Sequence, residues 1–333
     1  MNVEVFGFFL PRMGSGCSQM GAGRPFWFRK IWRRRRGGVI ESAMINPVAS
    51  GRFLVQITAA LSLSAAALPL ASVAAPAPIR VLLLTGGCCH DYEHQKDILK
   101  KGLEARANVV VTQVHTGDSS TKPPLAILGN LEYAKGYDVI IHDECGADIS
   151  NPALVEGVLK PHRDGIPGVN LHCAMHCYRI GNPNEAVTDL GTPHGYWFEY
   201  LGLQSSGHGP QEPIALHFTD PVHRVTQGLT DWTTIREELY NNIRLFDKAH
   251  PLALGRQGVK KKDGTTQTNE TVVAWTNEYG PRKTRVFSTT IGHNNATVED
   301  SRYLDLVTRG LLWATDHLRK DGTPAKGYGP SPR

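Results

Sequence analysis

Residues 80–85 read RVLLLT and run into Gly86-Gly87. A run this short, apolar almost throughout and stopped by two glycines, makes a strand covered on both faces, as in a parallel sheet. Onward from it, Asp91 stands as an N-cap before a helical stretch over residues 93–105. Residues 109–115 (VVVTQVH) are β-branched and read as a second strand. A short helix is expected over 125–133, a buried strand over 137–142 (YDVIIH) and a helix over 152–163. Residues 168–172 (GVNLH) make the next strand, with a helix to follow from Ala174. This alternation predicts an α/β fold, a doubly wound, mostly parallel sheet with helices on both faces. The second half is mixed. Strand-like runs lie at 215–219, 252–254, 272–275 and 285–290, and residues 260–269 (KKKDGTTQTN) read as a hairpin tip. A final helix over 300–318 spaces Tyr303, Leu304, Val307, Leu311 and Leu312 along one face. No linker-like stretch divides residues 76–320, so they read as one domain. The Gly- and Pro-rich tail, 321–333, reads as flexible.

The chain has 333 residues, 41% hydrophobic and 20% charged, which excludes a mainly disordered protein. Residues 1–75 carry nine Lys/Arg and two acids. The remainder has 27 basic and 29 acidic residues, a formal charge of −2. Such a body has no excess charge with which to draw in a phosphate backbone, so nucleic acid is not an expected partner. Residues 29–36 are a basic run, and 51–75 (GRFLVQITAALSLSAAALPLASVAA) are apolar and rich in small residues. Val73-Ala74-Ala75 fits a signal-peptidase exit, with cleavage before Pro76. The stretch is nearly long enough to be a membrane anchor, but Gln56, Pro69 and the small-residue exit favour cleavage. Met44, followed by Arg52 and the apolar run, makes an ordinary leader, so translation is expected to begin there. The mature protein is then expected to be periplasmic or secreted, without stable membrane insertion.

Five cysteines follow Ala75: Cys88, Cys89, Cys145, Cys173 and Cys177. An odd count in an exported chain leaves at least one thiol unpaired. No CxxC pair is present, which argues against a structural zinc knuckle. Most of these residues read as small buried hydrophobes.

In open parallel sheets ligands bind beyond the carboxyl ends of the strands. Three such ends are polar: Cys88-Cys89-His90-Asp91, His142-Asp143-Glu144 and His172-Cys173-Ala174-Met175-His176. A sharp strand-to-helix elbow needs small residues two positions either side of its exposed residue. Centred on Cys173 the flanks are Leu171 and Met175, both bulky. Centred on His172 they are Asn170 and Ala174, both small. The elbow register therefore presents His172, an imidazole suited to acid–base work or metal binding.

Residues 80–90 (RVLLLTGGCCH), 168–174 (GVNLHCA), 217–229 (HFTDPVHRVTQGL), Glu238-Leu239-Tyr240, 273–276 (VAWT) and 285–293 (RVFSTTIGH) occur in that order. Together they resemble the ThuA-like family, named for trehalose utilisation, over about residues 79–318. The resemblance implies the class I glutamine amidotransferase-like, flavodoxin-like fold, with His in place of the amidotransferase Cys at the elbow. It also implies a role in carbohydrate utilisation, on a sugar or keto-sugar substrate. The candidate catalytic residues are His172 as acid/base, Glu238 as its charge partner or second base, and His90. Tyr240 and His293 are candidate contacts to substrate hydroxyls. His223 reads as a turn residue, and Trp197 and Trp275 could stack on a sugar ring, although Trp275 ends an apolar strand. No cofactor is predicted. The His172/His176 pair, spaced i, i+4, keeps a divalent metal such as zinc open, without the glutamate of an HExxH motif. The alternative to an enzyme is a non-catalytic carbohydrate-binding or scaffold domain that lost the nucleophile. Glutamine amidotransfer is not expected, because Cys173 is one position off the elbow.

Overall fold

The first strand, β1 (Ile79–Gly87), sends alternate side chains into two apolar layers. Val81 and Leu83 join one buried cluster with Leu99, Leu103, Tyr303, Val307 and Leu311. Leu82 and Leu84 join the other with Val155, Val158, Trp197 and Tyr200. The computed structural model describes residues 76–330. The expected leader, with its Met44 start and its exit at Ala75, lies outside the described residues.

The remaining elements are α1 (Tyr92–Glu104), β2 (Val109–Thr116), β3 (Val139–Cys145), α2 (Pro152–Arg163), β4 (Gly168–Leu171), α3 (Tyr196–Leu201), β5 (Leu203–Phe218), β6 (Trp232–Leu245), β7 (His250–Lys260), β8 (Thr266–Tyr279), β9 (Thr284–Thr289), α4 (Asn295–Val298) and α5 (Ser301–Ala314). The strands form one sheet in the order β2-β1-β3-β4-β9-β8-β7-β5-β6. β1 pairs in parallel with β2 and β3, β3 with β4, and β4 with β9. From β9 outward every pairing is antiparallel. The doubly wound expectation holds for the parallel half, where α1 and α5 cover one face and α2 and α3 the other. The antiparallel extension makes the whole sheet mixed. The expected hairpin tip is the turn joining β7 to β8, where Lys260 pairs with Thr266.

Several local expectations are corrected. Residues 125–133 form successive turns and no helix. Gly129, at φ +79°, breaks the coil after one turn. The helix expected from Ala174 is one 3-10 turn over His172–His176. Irregular chain follows as far as α3, through Gly181, Pro183, Pro193 and Gly195. The Asp91 side chain does not cap α1; its carboxylate meets His94 Nδ1 at 2.8 Å and accepts from Asn295 Nδ2 at 2.7 Å. The tail is not loose through residue 330. Leu318 bridges to Pro324, and the Asn108 backbone N–H and side-chain amide donate to the carbonyls of Tyr328 and Gly327. Among the described residues, no helix is long and apolar enough to cross a membrane.

Candidate functional site

The parallel strands deliver their carboxyl ends to one edge. Gly86 and Gly87 close β1 at φ +122° and +104°. A Cβ on Gly87 would drive into the carbonyl of Cys145, so only glycine lets β1 pass this close to β3. The chain then turns and sets down His90. At the end of β4, His172 takes φ +40°, a left-handed conformation that is costly for a side chain of this size. The elbow register read from Asn170 and Ala174 is the one observed. Its exposure is not: His172 is 2% exposed, covered by β6 and by the segment after β9.

Four side chains converge there from distant parts of the chain. One ligand-capable atom from each of His90, His172, Glu238 and His293 falls within 4.8 Å of all the others. His172 Nε2 lies 3.5 Å from Glu238 Oε2, and His293 Nδ1 lies 3.3 Å from Oε1. The His90 ring stands edge-on to both other imidazoles, at 4.6 and 4.7 Å between ring centroids. Each imidazole is oriented by its other nitrogen. His172 Nδ1–H donates to the Thr290 carbonyl at 2.7 Å. His90 Nδ1 meets the Tyr92 hydroxyl at 3.1 Å, and His293 Nε2 meets the Gln211 amide at 2.8 Å. The inward nitrogens, His90 Nε2, His172 Nε2 and His293 Nδ1, are buried without a hydrogen-bond partner. A cleft of about 350 Å³, lined in part by His90, Ile235, His293 and Asn294, adjoins the cluster.

Charge within the cluster is strongly biased. Burial, reinforced by the charges of His172 and His293, pushes His90 down to about 2, so its ring is neutral at any ordinary pH. Burial alone would raise Glu238; interaction with His172 and His293 outweighs it and holds the carboxyl well below the usual range. Glu238 in turn raises His293, against the effect of burial.

Tyr240 lies beside His172, 5.0 Å between centroids, and is buried. Its ring stacks on His176 at 4.2 Å. His176 does not join the cluster. Its Nε2 is engaged with the Ser205 hydroxyl at 3.0 Å, so the His172/His176 pair is not a metal-binding pair. The polar end of β3 also leads elsewhere. His142 Nδ1 contacts Glu144 Oε1 at 2.7 Å, His142 Nε2 meets His162 Nε2 at 3.1 Å, and the Tyr178 hydroxyl donates to Glu144 at 2.6 Å. This network is fully enclosed under the sheet. Cys173 is buried against Cys88, Tyr92 and Cys145. Cys88 and Cys89 form a vicinal disulfide, and Cys145, Cys173 and Cys177 are free and buried. Trp197 and Trp275 are both core residues, donating to the carbonyls of Ala174 and Leu201. His223 sits in the turn anchored by Asp220, as expected.

Three neighbours escape sequence reading. Glu237 is buried and accepts from the backbone N–H groups of His293 and Asn294, at 2.9 and 3.1 Å. Gln211 supports His293, and His208 Nε2 lies 3.6 Å from Glu238 at the exposed rim. The doubled acid of Glu237-Glu238 was the available signal for the first. Gln211 and His208 become neighbours only through the irregular pairing of β5 with β6.

Against this geometry, the model of the family described as "ThuA: Trehalose utilisation" matches residues 80–314. No curated protein matches. Among solved structures, a ThuA-like protein from Parabacteroides merdae is 19% identical at a TM-score of 0.53, covering 77% of this chain and 98% of its own. A ThuA-like protein from Bacteroides uniformis is 18% identical at 0.50, covering 75% and 97%. A glutamine amidotransferase from Thermotoga maritima is 11% identical at 0.37, covering 72% and 98%.

Proposed function

Because the chain belongs to the ThuA family, associated with trehalose utilisation, we propose that it is an enzyme that modifies a small carbohydrate, a sugar or keto-sugar, at the His90–His172–Glu238–His293 cluster. The observation that carries this reading is the convergence itself. Folding gains nothing from gathering three imidazoles and a carboxylate at one strand edge and leaving three ring nitrogens unpartnered. In this reading His172 Nε2 is the acid/base. Its other nitrogen is committed to the Thr290 carbonyl, so the tautomer is fixed with the reactive nitrogen inward. Glu238 is its charge partner, His90 stays neutral beside it, and His293 and Tyr240 are the contacts to substrate hydroxyls.

A carbohydrate-binding module would present an aromatic platform. The two tryptophans considered for that role are core residues, which favours the enzyme. A thiol nucleophile is disfavoured because the hydrogen bond with Cys145, together with burial, raises the Cys173 thiol well above its ordinary value.

The test is incubation with a panel of disaccharides and their keto forms, read by mass. Product formation that is lost in His172→Ala and Glu238→Gln supports the proposal, whereas sugar binding without turnover across the panel overturns it in favour of the binding module. The export expected from residues 51–75 belongs to the same proposal. The mature protein should begin at or near Pro76 on intact-mass measurement, and a chain retaining residues 51–75 in the membrane fraction contradicts it.

A further inference from the structure

We infer that His90 Nε2, His172 Nε2, His293 Nδ1 and Glu238 together bind one divalent transition-metal ion, with zinc as the ion their chemistry fits. The inference rests on the proposed function only for the location of the site. Four observations carry it.

First, the ligand-capable atoms come from four separate segments and all fall within 4.8 Å of one another. Zinc–nitrogen and zinc–oxygen bonds of about 2.0–2.2 Å in a tetrahedron put neighbouring ligand atoms roughly 3.3–3.6 Å apart. The two Glu238 edges, 3.5 Å to His172 and 3.3 Å to His293, already have that length. Second, the three inward nitrogens have no hydrogen-bond partner, and His172 is 2% exposed. Such groups are rarely left uncompensated, since each costs about 1–3 kcal/mol. Third, the outward nitrogen of each ring has a polar neighbour: the Thr290 carbonyl, the Tyr92 hydroxyl and the Gln211 amide. That is the outer support found behind metal-binding histidines, where it turns a lone pair toward the ion. The Gln211 amide nitrogen faces this ring, so a metal-binding Nδ1 requires the amide turned over, with its oxygen accepting the His293 Nε2 proton. Fourth, imidazole and carboxylate ligands suit zinc and its first-row neighbours, while calcium and magnesium prefer all-oxygen sites.

Bound there, the ion would polarise a sugar carbonyl or hydroxyl oxygen by taking it as a fifth ligand. His172, Glu238 and His293 would then act as ligands of the ion, in place of the acid/base, charge-partner and hydroxyl-contact roles they have in the metal-free reading. The one other candidate ligand group among the described residues, Cys88, Cys89 and Cys145, has two of its three sulfurs joined to each other.

The test uses the full untagged chain, stripped with a chelator and titrated with zinc chloride by calorimetry, with metal analysis of the dialysed protein. One zinc per chain is expected. Cobalt(II) in its place should give the intense visible absorption of a four-coordinate site, a readout that needs no variant. His90→Ala, His293→Ala and Glu238→Gln should each weaken zinc binding by about a hundredfold or more, while His176→Gln and Cys88→Ser leave it unchanged. No uptake of zinc or cobalt by the stripped protein overturns the inference, as does uptake that survives all three ligand variants or is lost in Cys88→Ser alone. Zinc binding without sugar turnover would leave this site standing and sink the proposed enzyme. Sugar turnover by a protein that takes up no metal would do the reverse.

Discussion

At the scale of the residue, His172 combines three properties: a left-handed backbone, deep burial and an unpartnered inward nitrogen. Read as an exposed elbow residue, it should be removable without affecting folding. Its burial changes that expectation. His172→Ala leaves the Thr290 carbonyl without its donor and should lower stability by about 1–2 kcal/mol. Turnover on the responsive sugar should fall roughly a hundredfold or more. Cys173→Ser, buried beside Cys145 and Tyr92, should leave most turnover intact. Kinetics and urea melts of the two variants check this, and turnover surviving in His172→Ala but lost in Cys173→Ser would move the reactive group to the cysteine. The elbow register was legible because it depends only on side-chain size two positions away. The burial was not, because the cover comes from β6 and from the segment after β9, more than sixty residues downstream. Three of the five candidate residues, His90, His172 and His293, are marked in the sequence by strand ends or by a GH pair beyond one, whereas Glu238, in the middle of β6, is reached only through the family resemblance. Tyr240, the proposed hydroxyl contact, lies beside His172 and stacks its ring on His176.

At the scale of the element, β6 does two jobs with adjacent residues. Glu238 enters the cluster, and Glu237 holds the start of the loop that carries His293. Glu237→Gln replaces one acceptor with a donor that faces a backbone N–H, so His293 should shift. Turnover and zinc affinity should then both fall about tenfold or more, without loss of fold on circular dichroism. Unchanged values in both would show that Glu237 is only structural. A second element-scale test lies in β3. The His142–Glu144 contact sits in a fully buried network, so Glu144→Ala leaves His142 Nδ1 and the Tyr178 hydroxyl without their acceptor and should cost about 1–3 kcal/mol for each group stranded. Glu144→Gln, whose amide oxygen can still accept from His142 Nδ1–H, should cost clearly less, and equal losses on urea denaturation would count against that hydrogen-bond account. Neither strand's role could be read from sequence. β6 and the start of β5 are long, polar-rich strands with irregular pairing, and such a pattern looks like loop. The His142-Asp143-Glu144 end reads as a ligand site because polarity alone does not tell a cleft from an enclosed interior.

At the scale of the whole molecule, the parallel half is legible because its central strands are continuous apolar runs, and the fastening of the tail is not, because the hydrogen bonds that hold it end on its backbone carbonyls, which leave no compositional trace. The same interior sets how stability responds to pH. Burial holds His162 and His176 well below their ordinary value, and His90 at about 2. For each, the folded state stays neutral while the unfolded chain takes a proton below about pH 6.5, so its stabilising contribution is complete above that pH and is lost as pH falls. Asp143 works the other way. Burial and Glu144 raise it well above its ordinary value, so the folded state keeps a proton that the unfolded chain releases, and stability gains as pH falls toward the carboxylate range. His293, raised by Glu238, also favours the folded state slightly on acidification. His223 and His317 are also lowered by burial, and His94 is raised by Asp91, so five lowered histidines against three opposing groups leave a net uptake of protons on unfolding. Chelator-treated protein should therefore lose about 1–2 kcal/mol between pH 6.5 and 5.5, read from urea midpoints at constant slope. Asp143→Asn removes the main opposing group, so its loss over the same interval should be larger by about 1 kcal/mol. A midpoint that is flat or rises on acidification in the native sequence would mean that the buried histidines take up protons within the fold, and the enclosed networks drawn here would be wrong.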